Sequence, residues 1–144
     1  MILIIVIVLF KFGGIINFSY VVNAIKVSSD PKENERVQEL VTEYNKEHAK
    51  DMLFPLCKRF NTGMSIHPNA GLYIGDSDQY YDEGSFEVKI IGVRSSQLKK
   101  IASEICSMFI QESVLVKDEV QNTVYFLKTP VMNVKEHPAL KKKK

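Results

Sequence analysis

The stretch GLYIGDSDQYYDEGSFEVKI, residues 71–90, concentrates the side chains of this chain that could do chemistry. Three tyrosines and four carboxylates lie within its first thirteen residues. The spacing of Asp76 and Asp78 is that of calcium ligands, but the glycine and the final acid are misplaced for an EF-hand loop. We therefore interpret the acids as part of a solvated loop rather than a calcium site. That interpretation leaves open why one loop carries so many aromatic and acidic side chains.

Other reactive arrangements are missing from the sequence. His48, His67 and His137 have no partner at the spacing of zinc ligands. No glycine-rich phosphate loop followed by lysine and no nucleophile elbow occurs. Cys57 lies in an apolar stretch that disfavours its thiolate, and we expect Cys57 and Cys106 to be buried free thiols rather than a disulfide. The sequence thus predicts neither a metal nor a cofactor.

Length and charge limit the class of protein further. A chain of 144 residues has the size of one domain. Its net charge is +2, and residues 141–144 are four lysines, so the remainder carries about −2. A nucleic-acid-binding protein usually has a basic patch on its folded part. No such patch is evident, so we expect no nucleic-acid partner.

The apolar run MILIIVIVLF at residues 1–10 leaves several interpretations open. It is too short for a membrane span, which needs about twenty apolar residues. A cleaved leader is one alternative, with Val22-Asn23-Ala24 as the cleavage site, and a membrane-proximal segment is another. The run could equally be an extra strand or translated upstream sequence. We therefore divide the chain into residues 1–18, a domain at 19–129 and a basic tail at 130–144 that we expect to be mobile.

Hydrophobic periodicity predicts the order of the elements. Asp30, Pro31 and Glu33 form a helix start, and apolar residues at three- and four-residue spacing continue it to near Pro55. Ser95 and Ser96 can cap a second helix with an apolar stripe from Leu98 to Phe109. β-Branched or alternating runs predict strands at residues 20–28, 72–74, 85–93, 113–116 and 123–127.

This order predicts an α+β fold. It is a ferredoxin-like β-α-β-β-α-β sandwich with an additional C-terminal strand, in which two helices cover one face of an antiparallel sheet. Such a fold supports many functions, so function must be argued from the site.

Several short motifs then follow one another in a specific order. They are GLYIG at 71–75, EGSF at 83–86, Ile101-Ala102, and FIQESVLV at 109–116. Together with YVVNAI at 20–25, they resemble the phage-type S-adenosylmethionine lyases, long described as S-adenosylmethionine hydrolases. The resemblance covers most of residues 19–128.

The resemblance implies an activity, an assembly and a location. The family cleaves S-adenosylmethionine to methylthioadenosine and homoserine lactone, and the substrate's own carboxylate can attack its γ-carbon. The implied assembly is a homotrimer with substrate bound where subunits meet. No metal or cofactor is needed, because S-adenosylmethionine is the substrate. Depletion of this methyl donor would disarm methyl-dependent restriction in the cytoplasm of an infected bacterial host.

The resemblance also implies roles for two residues in the reaction site. Glu83 matches the family's active-site glutamate, and a carboxylate can accept hydrogen bonds from both ribose hydroxyls. Tyr73 matches the loop tyrosine, which we expect to position the substrate. Strong attraction of its ring for the sulfonium would stabilise a charge that disappears in the reaction. The alternative for Glu83 is a turn acid before a strand, and the alternative for Tyr73 is a half-buried strand tyrosine.

Five further residues are predicted to bind substrate. Gln111 offers a donor and an acceptor, suited to an adenine edge or to a backbone clamp, with an exposed helix-end residue as the alternative. Ser85 could orient Glu83. Phe86 is either an adenine-packing or a core residue, and Gly71 and Gly75 would allow close approach of the backbone.

Two rival hypotheses remain beside the enzyme. The first is a non-catalytic ferredoxin-like oligomeric module that binds a small nucleotide or a protein partner. The second is a domain that the apolar residues 1–18 tether to a membrane.

Overall fold

The computed structural model describes residues 13–22, 27–74, 80–128 and 134–141, and it describes side chains only outside residues 69–83. Eight regular elements follow one another, and two short 3₁₀ turns come after them, Val134–Glu136 and Pro138–Leu140. The elements are β1 (Gly13–Ser19), α1 (Pro31–Glu47), α2 (Ala49–Phe60), β2 (Gly63–Ile74), β3 (Tyr80–Ile91), α3 (Ser95–Met108), β4 (Val114–Asp118) and β5 (Thr123–Leu127).

The five strands form one antiparallel sheet in the order β2-β3-β1-β4-β5. At its centre Ile16 of β1 pairs with Val88 of β3 on one side and with Val116 of β4 on the other. Strand β3 lies between β1 and β2, and β1 lies between β3 and β4, so the two β-α-β units interlock. The predicted α+β fold is confirmed: this topology is compatible with a ferredoxin-like sandwich extended by the edge strand β5.

The main core lies between one face of the sheet and helices α2 and α3. Alternate strand residues point into it because successive side chains of a strand face opposite ways. Its fully buried members include Ile16, Val88, Val116, Leu53, Leu98, Ile101 and Ile105. Both cysteines are free, as predicted, but only Cys106 is buried here, whereas Cys57 is partly exposed.

The first strand lies earlier than the sequence predicts. Residues 13–19, not 20–28, form β1, and residues 23–26 lie outside the described part of the chain. Residues 20–22 leave the sheet because they lie alongside helix α1. The Val22 amide donates to Thr42 Oγ1 at 3.0 Å, and Val22 packs against Val41. Residues 13–18, predicted to precede the domain, therefore belong to its central strand.

The predicted long helix is in fact two helices. Asp30 caps α1 as expected and accepts a hydrogen bond from the Lys32 amide at 3.0 Å. The chain then breaks at His48, and α2 continues through Pro55 to Phe60. The break lets Met52, Leu53 and Leu56 of α2 face the sheet while Val37 and Val41 of α1 belong to a second, smaller core. One straight helix could not direct the apolar residues of both segments into their separate cores. The start of α3 also differs from the prediction: the N-cap is Arg94 rather than Ser95 or Ser96, and the Arg94 backbone amide donates to Gln97 Oε1 at 3.1 Å.

The C-terminal residues that the structure describes are packed, contrary to the predicted mobile tail. Residues 134–141 lie against α1, where Val134, Ala139 and Leu140 contact the second core. His137 is fully buried. The prediction was wrong because this short segment is held by Asn45, a buried polar side chain of α1. No periodic pattern in the sequence indicates such a contact.

Among the described residues, no helix has the length and hydrophobicity to cross a membrane.

Candidate functional site

The predicted site residues that the structure describes lie at one end of the sheet. The end of β2 and the start of β3 pair there, so that Gly71 lies opposite Glu83 and Tyr73 opposite Tyr81. Strand β1 ends beside them, since Ser19 pairs with Ser85. Gln111 lies just before β4, whose Leu115 pairs with Asn17 of β1. Antiparallel pairing thus brings together motifs that are about 40 residues apart in the chain.

The aromatic and acidic stretch is mostly a hairpin and not the predicted loop. Residues 71–74 and 80–84 are paired strand residues, and only residues 75–79, including Gly75, lie outside the described part. The side chains of Tyr73 and Glu83 are likewise outside it, so their roles stay predictions. Tyrosine favours strands, and the run from Leu72 to Ile74 extends a strand that was predicted too short.

The backbone next to Glu83 is held by the end of β1. The Gly84 carbonyl accepts hydrogen bonds from the Tyr20 amide at 3.2 Å and from Ser19 Oγ at 2.9 Å. The Tyr20 ring lies directly against Gly84, because a Cβ at this position would come within 2.1 Å of the ring carbon Cζ. A side chain at Gly84 would therefore require the Tyr20 ring to move, a contact that the sequence alone did not indicate.

Phe86 and Ser85 follow in β3 with different environments. Phe86 is buried, and its ring centroid lies 5.8 Å from that of Phe18 and 5.3 Å from that of Tyr20. Phe86 therefore lies among core residues, which is one of its two predicted roles. Its contact with a substrate stays a prediction. Ser85 is partly buried and pairs with Ser19.

Gln111 is buried, so the alternative of an exposed helix-end residue is wrong. Its Nε2 donates to the Phe109 carbonyl at 2.9 Å and, at a longer 3.4 Å, to the Val21 carbonyl. Ile110, between Phe109 and Gln111, has a positive φ of 53°. The Gln111 backbone amide donates to the Cys106 carbonyl at 2.8 Å. The side chain acts as a backbone clamp that ties the turn after α3 to the segment after β1.

Asn45 is a residue of this region that the sequence interpretation missed. It is fully buried, and its Nδ2 donates to the Phe109 carbonyl at 3.1 Å and to the Tyr20 carbonyl at 3.3 Å. Its Oδ1 pairs with Nε2 of His137 at 2.9 Å. The available signal was its position four residues after Val41, on the apolar stripe of α1, where a polar residue needs internal partners.

His137 completes this buried polar cluster. Its Nδ1 accepts a hydrogen bond from the Ala139 amide at 3.1 Å, so the ring proton belongs on Nε2, where it is donated to Asn45. Burial lowers the pKa of His137 to about 4. The neutral ring therefore links the C-terminal segment through Asn45 to the backbone of residues 20 and 109.

A depression of about 540 Å³ adjoins the segment after β1. Val21, Val22 and Thr42 line it together with Glu35, Glu39 and Glu43 of α1. Within the described part of the chain, no group of three or more histidine, cysteine or acidic side chains has a metal-binding arrangement.

Comparison with known proteins adds little to this geometry. No protein-family model matches the chain, and no curated protein matches its sequence. Among solved structures, a phage SAM lyase in complex with S-methyl-5'-thioadenosine aligns over 82% of this chain and 92% of that chain. The two sequences are 18% identical, and the TM-score is 0.37. A likeness of this size establishes neither a shared fold nor a shared activity.

Proposed function

We propose that this chain is an S-adenosylmethionine lyase that produces methylthioadenosine and homoserine lactone. One observation carries the proposal: the register of the sheet brings the separate motifs of the sequence to a single end. Gly71 is the partner of Glu83, and Gln111 reaches the adjoining Gly84 through Val21 and Tyr20. A substrate site built from these motifs requires this juxtaposition, which is how the register supports the proposal.

The proposed reaction needs few reactive groups on the protein. An oxygen of the substrate carboxylate bonds to the γ-carbon while the bond from that carbon to the sulfonium breaks. The electron pair leaves with sulfur, which becomes the neutral thioether of methylthioadenosine, and the carboxylate becomes the lactone ester. Holding the folded conformer of the substrate can supply roughly several kcal/mol of barrier lowering. No metal, cofactor or protein nucleophile takes part in these steps.

The proposed roles follow from this chemistry. Glu83 accepts hydrogen bonds from the ribose hydroxyls, and Tyr73 positions the amino-acid end or the sulfonium. Gly71 and Gly75 let the backbone approach the substrate closely. Ser85 orients Glu83. Gln111 acts mainly as a clamp on the segment after β1, and Phe86 supports the site from the core, which modifies the direct contacts first expected of them.

The homotrimer with sites between subunits is part of the proposal. Within the described sheet, β1 pairs with β3 only as far as Ser85, so residues 80–83 pair with β2 alone. That free strand edge is available to a neighbouring subunit, and a neighbour there would complete the site beside Glu83. Nucleic acid is not a proposed partner. The proposed setting is the cytoplasm of an infected bacterium, where the reaction would deplete the methyl donor.

The test is product analysis with the full chain, because residues 13–18 form β1. The protein is incubated with S-adenosylmethionine, and early products are separated and identified by mass spectrometry. We expect methylthioadenosine and homoserine lactone from the natural protein and at least about a hundredfold lower rate from Glu83→Gln. Glu87→Gln, four residues along the same strand, is the matched control and should retain the rate.

Other outcomes would contradict parts of the proposal. Homoserine without lactone at early times would indicate attack by water. Binding of S-adenosylmethionine without turnover would favour the non-catalytic binding module. An equal loss of activity in the Glu83 and Glu87 variants would remove the special role of Glu83.

A further inference from the structure

A cavity of about 330 Å³ lies where the C-terminal segment meets the three helices. Helix α1 contributes Tyr44 to it, α2 contributes Met52 and Pro55, and α3 contributes its last residue, Met108. We call this space, which those four side chains line, the helix-junction cavity. Ligand sites in proteins have volumes of about 300–1,000 Å³ and mainly apolar walls with a few polar groups. A ligand of the helix-junction cavity is therefore small.

The wall of this cavity is apolar and partly adaptable. Met52 is buried and Met108 is half-buried, and methionine side chains adjust to the shape of the group that they contact. The ring of Tyr44 is held on two sides, because its centroid lies 4.3 Å from that of His48 and 5.5 Å from that of His137. The wall thus favours an apolar or aromatic group on the ligand.

Hydrogen-bond acceptors border the helix-junction cavity. Pro55 lies inside α2 and has no amide hydrogen, so it cannot donate to the carbonyl of Asp51 four residues earlier. Asp51 also lines the cavity, and its carboxylate and that of Glu136 add two charged acceptors. Oδ2 of Asp51 lies 3.7 Å from Nδ1 of His48, which is too far for a hydrogen bond. An ammonium group, with three donors and no acceptor, matches these groups.

Lys141 adds a positive charge to the same lining. In the part of the chain that the structure describes, no ion pair joins Lys141 to Asp51 or Glu136. Lys141 repels an ammonium group, whereas a carboxylate on the same ligand pairs with it. The three charged side chains therefore match a ligand that carries both charges better than a ligand that carries either one alone.

We propose that the helix-junction cavity binds a free amino acid with an apolar side chain. Its ammonium group faces the Asp51 carbonyl and the Glu136 carboxylate, its carboxylate faces Lys141, and its side chain contacts Met52 and Met108. Because Glu136 and Lys141 belong to the C-terminal segment, the ligand also joins this segment to the helices. The inference is independent of the proposed lyase activity, since it uses none of the predicted site residues.

NMR of the full chain, labelled with ¹³C at its methionine methyl groups, tests this inference with L-phenylalanine as the probe. We expect the Met52 and Met108 signals to move saturably, with a dissociation constant of about 1 mM or below. Met64, at the start of β2, is the internal control and should not move. Phenethylamine lacks the carboxylate and 3-phenylpropanoate lacks the ammonium group, so each should bind at least about threefold more weakly.

Two variants test the charged contacts separately. Glu136→Gln and Lys141→Gln should each weaken the binding of L-phenylalanine by about threefold or more. In Lys141→Gln, L-phenylalanine and phenethylamine should bind about equally, because the partner of the carboxylate is gone. Glu119→Gln is the matched control: it also removes an exposed carboxylate, but from the turn between β4 and β5, and should leave the binding unchanged.

Three outcomes would overturn the inference. The first is the absence of saturable movement at Met52 and Met108. The second is movement of Met64 with the same concentration dependence, which would indicate non-specific association. The third is binding of phenethylamine or 3-phenylpropanoate to the natural chain as tight as that of L-phenylalanine, which would show that one charge is enough. Turnover of S-adenosylmethionine enters none of these measurements, so the two proposals fail separately.

Discussion

At the scale of single residues, the buried pair of Asn45 and His137 links the C-terminal segment to helix α1. Each polar atom of this pair has a partner: two backbone carbonyls for the amide nitrogen, the histidine for the amide oxygen, and the Ala139 amide for Nδ1. Protonation of His137 would place a hydrogen on Nδ1, so this atom would face the Ala139 amide as a donor and could no longer accept its hydrogen bond. The pair therefore holds the C-terminal segment only while the histidine is neutral.

The pH dependence of stability follows from the lowered pKa of His137. Its folded pKa of about 4 lies below its ordinary 6.5, so the unfolded chain binds more protons between these values. The contribution is present above pH 6.5 and is lost as the pH falls towards 4. After allowance for solvent screening, we expect a loss of roughly 2 kcal/mol in the free energy of unfolding from this group.

Urea unfolding at pH 7 and pH 4 measures this effect. His137→Gln keeps a donor for Asn45 but does not titrate, and its stability should change less with pH than that of the natural chain. Other groups titrate in both proteins, so the difference between the two proteins is the quantity to compare. An equal pH dependence would show that His137 is not the titrating group.

At the scale of elements, β1 decides how closely the sheet approaches α3. The strand is central, and Gly14 sits where α3 and β4 meet it. A Cβ at Gly14 would lie 2.3 Å from the Lys117 carbonyl oxygen and 2.6 Å from Cδ2 of Leu98. Neither distance is tolerated, and one of the two neighbours is backbone that cannot rotate away.

We accordingly expect Gly14→Ala to lower the free energy of unfolding by about 2–4 kcal/mol through overpacking. Gly63→Ala, at the start of β2, is the matched control because no atom lies within 4 Å of the added carbon. Its stability should stay within about 0.5 kcal/mol of the natural value. Thermal or urea unfolding distinguishes the two. A neutral Gly14→Ala variant would contradict the placement of residues 13–18 in the central strand.

At the scale of the whole molecule, the second core joins the segment after β1, helix α1 and the C-terminal segment. Val22 from the segment after β1 and Val37 and Val41 from α1 pack with Ile110, and the C-terminal residues close this cluster. The segment that supplies Val22 also holds the backbone next to Glu83, because the Tyr20 amide donates to the Gly84 carbonyl. Docking of the C-terminal segment therefore supports the end of the sheet where the predicted site lies.

Truncation tests this role of the C-terminal segment. A chain that ends at residue 129 would expose Val37 and Val41 and would leave Asn45 without its histidine partner. We expect a loss of about 2–4 kcal/mol in the free energy of unfolding. A chain that ends at Lys141 removes only three lysines and should change it by less than about 0.5 kcal/mol. Equal stability of the two truncated chains would show that residues 130–141 add nothing to the fold.

The sequence by itself determined the features that depend on local order. Alternation and helical spacing predicted the α+β class, the added C-terminal strand, the Asp30 cap and the free cysteines. These follow from side-chain periodicity, from capping chemistry and from cysteine spacing. Glu83, Tyr73 and Gln111 became candidates through the resemblance of their motifs to a known family, which could not show that they lie at one end of the sheet.

Only the tertiary structure decided which local options were used. Residues 13–19 rather than 20–28 became the strand because glycines there admit α3 and β4, whereas Val22 packs against α1. The helix broke at His48 because its two apolar stripes serve different cores. Gln111 and Asn45 became backbone clamps, and the C-terminal segment became packed, because long-range hydrogen bonds joined residues up to 92 positions apart. Such contacts depend on the folded path of the chain, which local sequence patterns do not encode.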